Sequence, residues 1–370
     1  MTVARRAGGG PRAPHARQGI RLLLGMAALL DVPPELAAIQ STLADALRRV
    51  EGRFNDALRS DLPPVDRLCA HVESYRGKML RPAVVVLSGL AAGSRDREAP
   101  EVSEAHITVG AVCEMIHMAT LVHDDVLDDA DTRRKGATVN RLHGNEAAVI
   151  LGDYLFSAAY RLCSTLPGET GRRTALLIGE TGMTLCSGEL LQLHHRRDYS
   201  IDEPTYFEIV ERKTASLIAA ACRLGAEHAG ATDEVAAGLE RYGLRLGVAF
   251  QIQDDLLDLT GTESVVGKPL RRDVELGKLT LPLIHHLAAA SQAQRGRTLG
   301  LIGAVPGVEG EREGVQALQA ALGETGSIRH AREVAVGLVA EAKAALEVVE
   351  ESAAKRFLML MADAVVDRSF

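Results

Sequence analysis

Five aspartates crowd into eight residues at Asp124, Asp125, Asp128, Asp129 and Asp131. Three more, Asp254, Asp255 and Asp258, repeat the D-D-x-x-D spacing further along the chain. In a helix the first and last aspartates of such a motif share one face, with roughly 6 Å of axial rise between them. They can grip one cation together. Oxygen ligands of this kind suit Mg²⁺, which binds through one or two carboxylates, keeps several waters and completes its shell with substrate phosphates. Either motif alone also reads as a solvated acidic helix end. A second copy argues against chance, and facing motifs in a helical bundle can hold a cluster of ions between them. Asp124, Asp125, Asp128, Asp254, Asp255 and Asp258 are therefore the candidate metal ligands.

Cations accompany both motifs. Arg133 and Arg134 follow the first, Lys78 and Arg81 sit in Gly77-Lys-Met-Leu-Arg-Pro82, and Lys268 and Lys278 follow the second. Arginine forks match phosphate oxygens bidentately and lysine supplies a point charge. Each reads singly as a surface cation, but a plain calcium binder has no need of them beside its carboxylates. Metal ions and fixed cations so arranged neutralise a diphosphate and stabilise it as a leaving group.

The elements that must hold these groups are helical. The chain has 370 residues, 46% hydrophobic and only 3% aromatic, with no Trp, a mixture rich in helix formers and poor in residues that strands prefer. Apolar residues recur at helical spacing from residue 35 onward, as in Leu36, Ile39, Leu43, Leu47 and Val50,. Breaks fall near residues 61–64, 91–100, 167–168, 200–204, 229–233, 260–273 and 305–314, and no alternating strand pattern or repeat is evident. The expectation is an all-α bundle of about ten or more helices in one domain, residues 35–370, with 102–126 as a buried central helix. Residues 1–34, basic and rich in Gly and Pro, read as a poorly ordered extension. Their apolar run Leu22 to Leu30 lacks a signal-peptide cleavage site. No stretch reads as a membrane span. A net charge of -7 disfavours nucleic acid as a partner. Five cysteines without paired spacing suggest neither a disulfide framework nor zinc, and so a reducing, cytoplasmic setting,.

With order and spacing considered together, the sequence resembles the trans-isoprenyl diphosphate synthases, or polyprenyl synthetases. The resemblance runs from about residue 35 to the C-terminus. It rests on GKMLRP at 77–82, HMATLVHDDVLDDADTRR at 117–134, GDYLF at 152–156, ERKTAS at 211–216, FQIQDDLLD at 250–258 and GKLTLP at 277–282. It implies an isoprenoid synthase fold, an all-α bundle around a deep cavity, and condensation of isopentenyl diphosphate with an allylic diphosphate. It further implies Mg²⁺, three ions per site, and a homodimer.

Residue by residue, Lys78, Arg81, His117 and Arg134 match the isopentenyl diphosphate contacts. Arg133, Lys213, Thr214, Gln251, Lys268 and, more weakly, Lys278 match the allylic side. Asp124, Asp128, Asp254 and Asp258 match metal ligands, and Asp124, Asp128, Arg133, Lys213, Asp254 and Lys268 are the expected catalytic set. Two departures stand out: an extra Lys135 before Gly136, and Arg271 where the family has glycine. Terpene cyclases share the first motif, but their second mixes Asn, Ser or Thr with acids, unlike the all-Asp motif here. A non-catalytic partner subunit would tend to lose one motif.

Product length in this family follows the apolar space below the first motif. Met115, Ile116, Ala119 and Thr120 line that stretch, without an aromatic residue, which implies a C30–C50 product ahead of geranylgeranyl diphosphate. Helical phasing puts Thr120 and Ile116, rather than Ala119, on the face of Asp124. A long apolar product also implies peripheral contact with a membrane at release.

Overall fold

The computed structural model describes residues 32–73, 75, 77–93, 102–133, 136–260, 272–303 and 311–367. After a 3₁₀ turn at Pro34–Leu36, helix α1 spans Ala37–Leu58, α2 Pro63–Glu73, α3 Leu80–Ala92 and α4 Glu104–Leu127. A two-residue ladder, β1 (Thr132–Arg133) with β2 (Gly136–Ala137), precedes α5 (Val139–His143), α6 (Asn145–Cys163), α7 (Gly168–His194) and α8 (Glu203–Val210). A π-helical segment, Glu211–Ala215, joins α8 to α9 (Ser216–His228). Then come α10 (Asp233–Thr260), α11 (Arg272–Glu275), α12 (Leu281–Ala289), α13 (Gln292–Gly303) and α14 (Glu311–Glu324). Helices α15 (Ser327–Ala345) and α16 (Ala353–Val366) close the bundle.

The all-α expectation holds, apart from the ladder, whose antiparallel register pairs Thr132 with Ala137 and Arg133 with Gly136. Two residues per strand are too few for an alternating pattern to be visible in sequence.

Helix α4 is the axis of the bundle, packed against α1, α3, α6 and α9. Its start is fixed by Ser103, whose hydroxyl accepts from His106 N–H while the His106 ring receives the Ser103 N–H. This is a capping box with histidine in the usual glutamate place. The other ring nitrogen lies 3.0 Å from Gly225 O on α9, so the cap also ties two core helices together. By length and composition α4 could cross a membrane, which the sequence pattern did not suggest, but 78% of its apolar window is buried inside the protein. Neighbouring helices already cover it.

One large core cluster runs through α1 to α10, α15 and α16, and a smaller one joins Leu259, Val274, Leu283, Leu287, Leu318 and Leu322. Met115, Ile116 and Met118 on α4 are essentially fully buried; truncating any of them to Ala would cost on the order of 2–5 kcal/mol.

Candidate active site

The first aspartate motif ends α4. Asp128 is its C-cap, its N–H donating to Asp124 O, so the two carboxylates stand one turn apart at the end where the helix dipole disfavours negative charge,. Protein cations answer that charge. Lys278 Nζ donates to Asp128 Oδ2 at 2.7 Å, Arg196 Nη2 to Asp128 Oδ1 at 3.3 Å, and Lys213 Nζ lies 3.9 Å from Asp124 Oδ1. Lys213 also pairs with Glu189 of α7. Burial pushes the Asp124 carboxyl above its usual range, and Lys213 only partly offsets this. For Lys213, burial works downward, but Asp124 and Glu189 outweigh it and hold the ammonium above its normal value.

Asp125 turns away from this set. It is 1% exposed, and Arg133 brings both Nε (2.8 Å) and Nη2 (2.7 Å) onto its Oδ1. Asn140 Nδ2 caps the Asp125 carbonyl at 3.2 Å. Asp125, expected as a metal ligand, is paired with Arg133, expected on the allylic diphosphate, and the pair ties the β1–β2 turn to the end of α4. The physical reason is helical phase: Asp125 lies about 100° around the axis from Asp124, on the side that faces the protein.

The second motif, near the end of α10, divides the same way. Asp255 is buried and saturated: Tyr206 O–H donates to Oδ2 at 2.7 Å and Gln251 Nε2 to Oδ1 at 2.8 Å. Gln251 Oε1 in turn accepts from Thr214 Oγ1 at 3.0 Å. Burial, reinforced by Asp273, drives the Asp255 carboxyl well above the normal range. Asp258 Oδ2 accepts from Asp273 N–H at 3.3 Å, while Asp254 is half-buried. Among the described residues no three metal-capable side chains converge, so the six-carboxylate metal cluster read from the sequence is not preassembled.

Close backbone approach sets the cations. The π segment carrying Lys213 and Thr214 is wedged between two helices at glycines. A Cβ on Gly188 of α7 would meet Lys213 N at 2.6 Å, and one on Gly247 of α10 would meet Ala215 Cα at 2.6 Å. Such π-helical turns recur at functional sites because they re-aim one or two side chains. In GDYLF, Gly152 leaves room for the His123 ring, which lies 3.1 Å by Nε2 from Val149 O and stacks near Phe156. In GKLTLP, Gly277 takes φ +73° and a turn closes by Lys278 N–H donating to Asp273 O at 2.8 Å, which aims Lys278 at Asp128.

An open pocket is lined by Gln192, Tyr206, Lys213, Thr214, Gln251 and Lys278, with Asp255 and Asp273 in its wall. It gathers the expected allylic residues Lys213, Thr214, Gln251 and Lys278. On the isopentenyl side Lys78 is exposed and Arg81 half-buried at the start of α3, with Met79 between them in the left-handed region at φ 54°. His117 is half-buried, and its carbonyl accepts from Thr120 Oγ1 at 2.8 Å. Ala119, Met115 and Ile116 are buried in the core and Thr120 partly exposed. Arg134, Lys268 and residues 1–31 lie outside the described residues.

Sequence reasoning missed Glu189, Arg196, Tyr206 and Asp273. Tyr206 stood two helical turns before Lys213, a spacing that places both on one face; Glu189, Arg196 and Asp273 carry no such local signal.

Residues 63–318 match the family model for polyprenyl synthetase. The chain belongs to the polyprenyl synthetase family. It is 34% identical over 335 residues to octaprenyl diphosphate synthase of Escherichia coli, covering 90% of this chain and 99% of that one. A short chain isoprenyl diphosphate synthase of Methanothermobacter thermautotrophicus is 33% identical, covering 88% of this chain and 98% of its own length. The crystal structure of a decaprenyl diphosphate synthase from Rhodobacter capsulatus superposes with TM-score 0.80 at 30% identity, covering 90% of this chain and 99% of that one. The all-α isoprenoid synthase fold expected from the motifs is the fold observed.

Proposed function

We propose that this polyprenyl synthetase is a Mg²⁺-dependent trans-prenyltransferase that condenses isopentenyl diphosphate head-to-tail with an allylic diphosphate, releasing diphosphate. The observation that carries the reading is the lattice of Asp124, Asp128 and Glu189 with Lys213, Lys278 and Arg196 beside the pocket. Its carboxylates suit a divalent cation, and its fixed cations suit a diphosphate. The donor chemistry fits magnesium: two carboxylates one turn apart on one helical face are all that Mg²⁺ asks of a protein, and Asp124 and Asp128 supply them,. Asp124 and Asp128 would hold ions on one side and Asp254, with Asp258, on the other, three ions in all. When bound, they supply positive charge to the departing diphosphate.

The chain's own groups do the rest. Lys213, Thr214, Gln251, Lys278 and Lys268 orient the allylic diphosphate, and Lys78, Arg81, His117 and Arg134 orient isopentenyl diphosphate. The allylic C–O bond breaks, the isopentenyl double bond forms the new C–C bond, and one isopentenyl proton leaves to the released diphosphate. Water must be kept from the allylic cation, which it would quench. We assign no side chain as general base.

A product in the C30–C50 range is proposed, with geranylgeranyl diphosphate second, because Met115, Ile116 and Ala119 leave no aromatic barrier below Asp124. A homodimer is proposed from the exposed stripe Leu176, Met183 and Leu190 on α7, spaced seven apart, with Val149 and Ile150 exposed on α6 as well. A row at heptad spacing suits burial against a copy of itself. A cytoplasmic enzyme that touches a membrane only to release its apolar product follows from that chemistry.

The test is elongation by purified protein with Mg²⁺, labelled isopentenyl diphosphate and each allylic starter in turn, with products sized by chromatography and the oligomer by light scattering. Elongation to C30 or beyond is expected; no elongation with any starter refutes the reading.

A further inference from the structure

We propose that Arg196 is a further diphosphate-binding residue of the allylic site, held in reserve on Asp128. The inference rests on the prenyl-transfer reading above. Arg196 lies just past α7, outside every motif that the sequence singled out. Its backbone is pinned to the turn that carries Lys278: Arg197 N–H donates to Gly277 O at 2.8 Å, with Arg197 at φ 64° and Gly277 at φ 73°. A Cβ on Gly277 would meet Arg197 Cγ at 2.5 Å and Arg196 Cγ at 3.4 Å. The glycine therefore lets the arginine arm lie against that turn, and Arg196 and Lys278 reach the same carboxylate from adjoining backbone.

The two cations hold Asp128 differently. Lys278 makes a 2.7 Å bond to one oxygen, whereas Arg196 reaches the other at 3.3 Å, beyond the roughly 2.7–2.9 Å of a committed ionic hydrogen bond. Among the described residues, Arg196 Nε is also buried without a hydrogen-bond partner. An orphaned buried N–H of this kind is costly to the protein that keeps it. The guanidinium thus carries a buried donor with no acceptor, and the side chain, 27% exposed as a whole, must swing off Asp128 to bring its fork to a ligand. A static ion pair would leave the fork unused. A diphosphate arriving at Asp124 and Asp128 supplies the missing acceptors in the planar, two-pronged geometry that guanidinium matches and ammonium does not.

The experiment compares wild type with Arg196→Gln and Arg196→Lys. Calorimetry in Mg²⁺ measures binding of geranyl S-thiolodiphosphate, an unreactive allylic analogue, and of inorganic diphosphate; steady-state kinetics give KM for each substrate. The Gln variant is expected to weaken both anions by roughly ten- to hundredfold, to raise the allylic KM in step, and to leave the isopentenyl KM unchanged. The Lys variant is expected to recover only part of the loss. Affinity of the Gln variant within about twofold of wild type, or an equal shift in both KM values, overturns the proposal. If the Gln variant melts early, the Lys variant decides: full wild-type affinity from a point charge refutes a fork-specific role. Absence of elongation by wild type with every starter refutes the prenyl-transfer reading instead, and the inorganic diphosphate arm still decides Arg196.

Discussion

Replacing Gly188 with Ala should cripple turnover while the fold survives. The added Cβ would stand 2.6 Å from Lys213 N and 2.8 Å from Arg212 Cβ, where ordinary contact begins at 3.4 Å. The π segment must therefore retreat by about 0.8 Å, the difference between 3.4 and 2.6 Å, or α7 must lift away. Retreat is blocked, because on its far side the segment already rests against Gly247, where a Cβ would meet Ala215 Cα at 2.6 Å. Overpacking of this kind costs on the order of 1–3 kcal/mol, which a chain of this length tolerates with a melting shift of a few degrees. Lys213 is less tolerant. Displacement of a positioning group by ~1 Å costs about 100-fold in rate, so kcat/KM for the allylic substrate is expected to fall by about that factor. Gly247→Ala should do the same from the opposite side. Gly337→Ala on α15 is the control: nothing lies within 4 Å of its Cβ, and it should stabilise by roughly 0.5–1 kcal/mol with activity unchanged. A Gly188→Ala enzyme with kcat/KM within about threefold of wild type would refute the wedge argument.

Asp254→Asn should raise the Mg²⁺ concentration needed for half-maximal rate, whereas Asp255→Asn should lower kcat at an unchanged Mg²⁺ requirement; equal shifts in a titration would show that Asp255 is a ligand after all. Tyr206→Phe leaves Asp255 Oδ2 a buried acceptor without its 2.7 Å donor, so a loss of about 1–3 kcal/mol in urea unfolding is expected, and none would remove Tyr206 from the network. Ala119→Tyr should shorten the product, read by chromatography against wild type. His228 is held down to about 4, chiefly by burial and then by His106. Below its ordinary 6.5 the unfolded chain binds the extra proton first, so stability is full above about pH 6.5 and is lost as pH falls toward 4. Between pH 7.5 and 5 this amounts to about 1–2 kcal/mol after allowing for solvent screening, and denaturant midpoints for His228→Gln should show a shallower loss.

What the sequence revealed and what it hid divide along a physical line. The α4 and α10 motifs were legible because metal chemistry needs carboxylates at fixed helical spacing, and spacing survives in one dimension. Lys278 stood out as a cation after the second motif, whereas Lys213, Thr214 and Gln251 were reached only through the family resemblance, and the pocket brings all four together. The pairing of Asp125 and Asp255 inside the protein was not legible because a motif states residue types, not which side of the helix faces protein. One step of helical phase turns each from the cavity to a buried donor, Arg133 in one case and Tyr206 in the other. Glu189 and Arg196 were invisible because they reach Lys213 and Asp128 across long sequence separations, through a glycine contact and a left-handed turn that no local pattern encodes.

The charge lattice bears on how the proposed metal ions and diphosphate would bind. Asp124, Asp128 and Glu189 sit among Lys213, Lys278 and Arg196, so each buried charge finds a partner and avoids the several kcal/mol that an unpaired one would cost. The same pairing makes binding an exchange rather than an addition. Ions entering at Asp124 and Asp128 must displace ammonium and guanidinium groups, and those groups are then free for the incoming diphosphate. Metal and diphosphate should accordingly bind cooperatively, each weakly alone. Calorimetry with Mg²⁺, with inorganic diphosphate and with both together is expected to show coupling of about 1–3 kcal/mol, and independent binding would mean that the lattice stays closed when the ligands arrive.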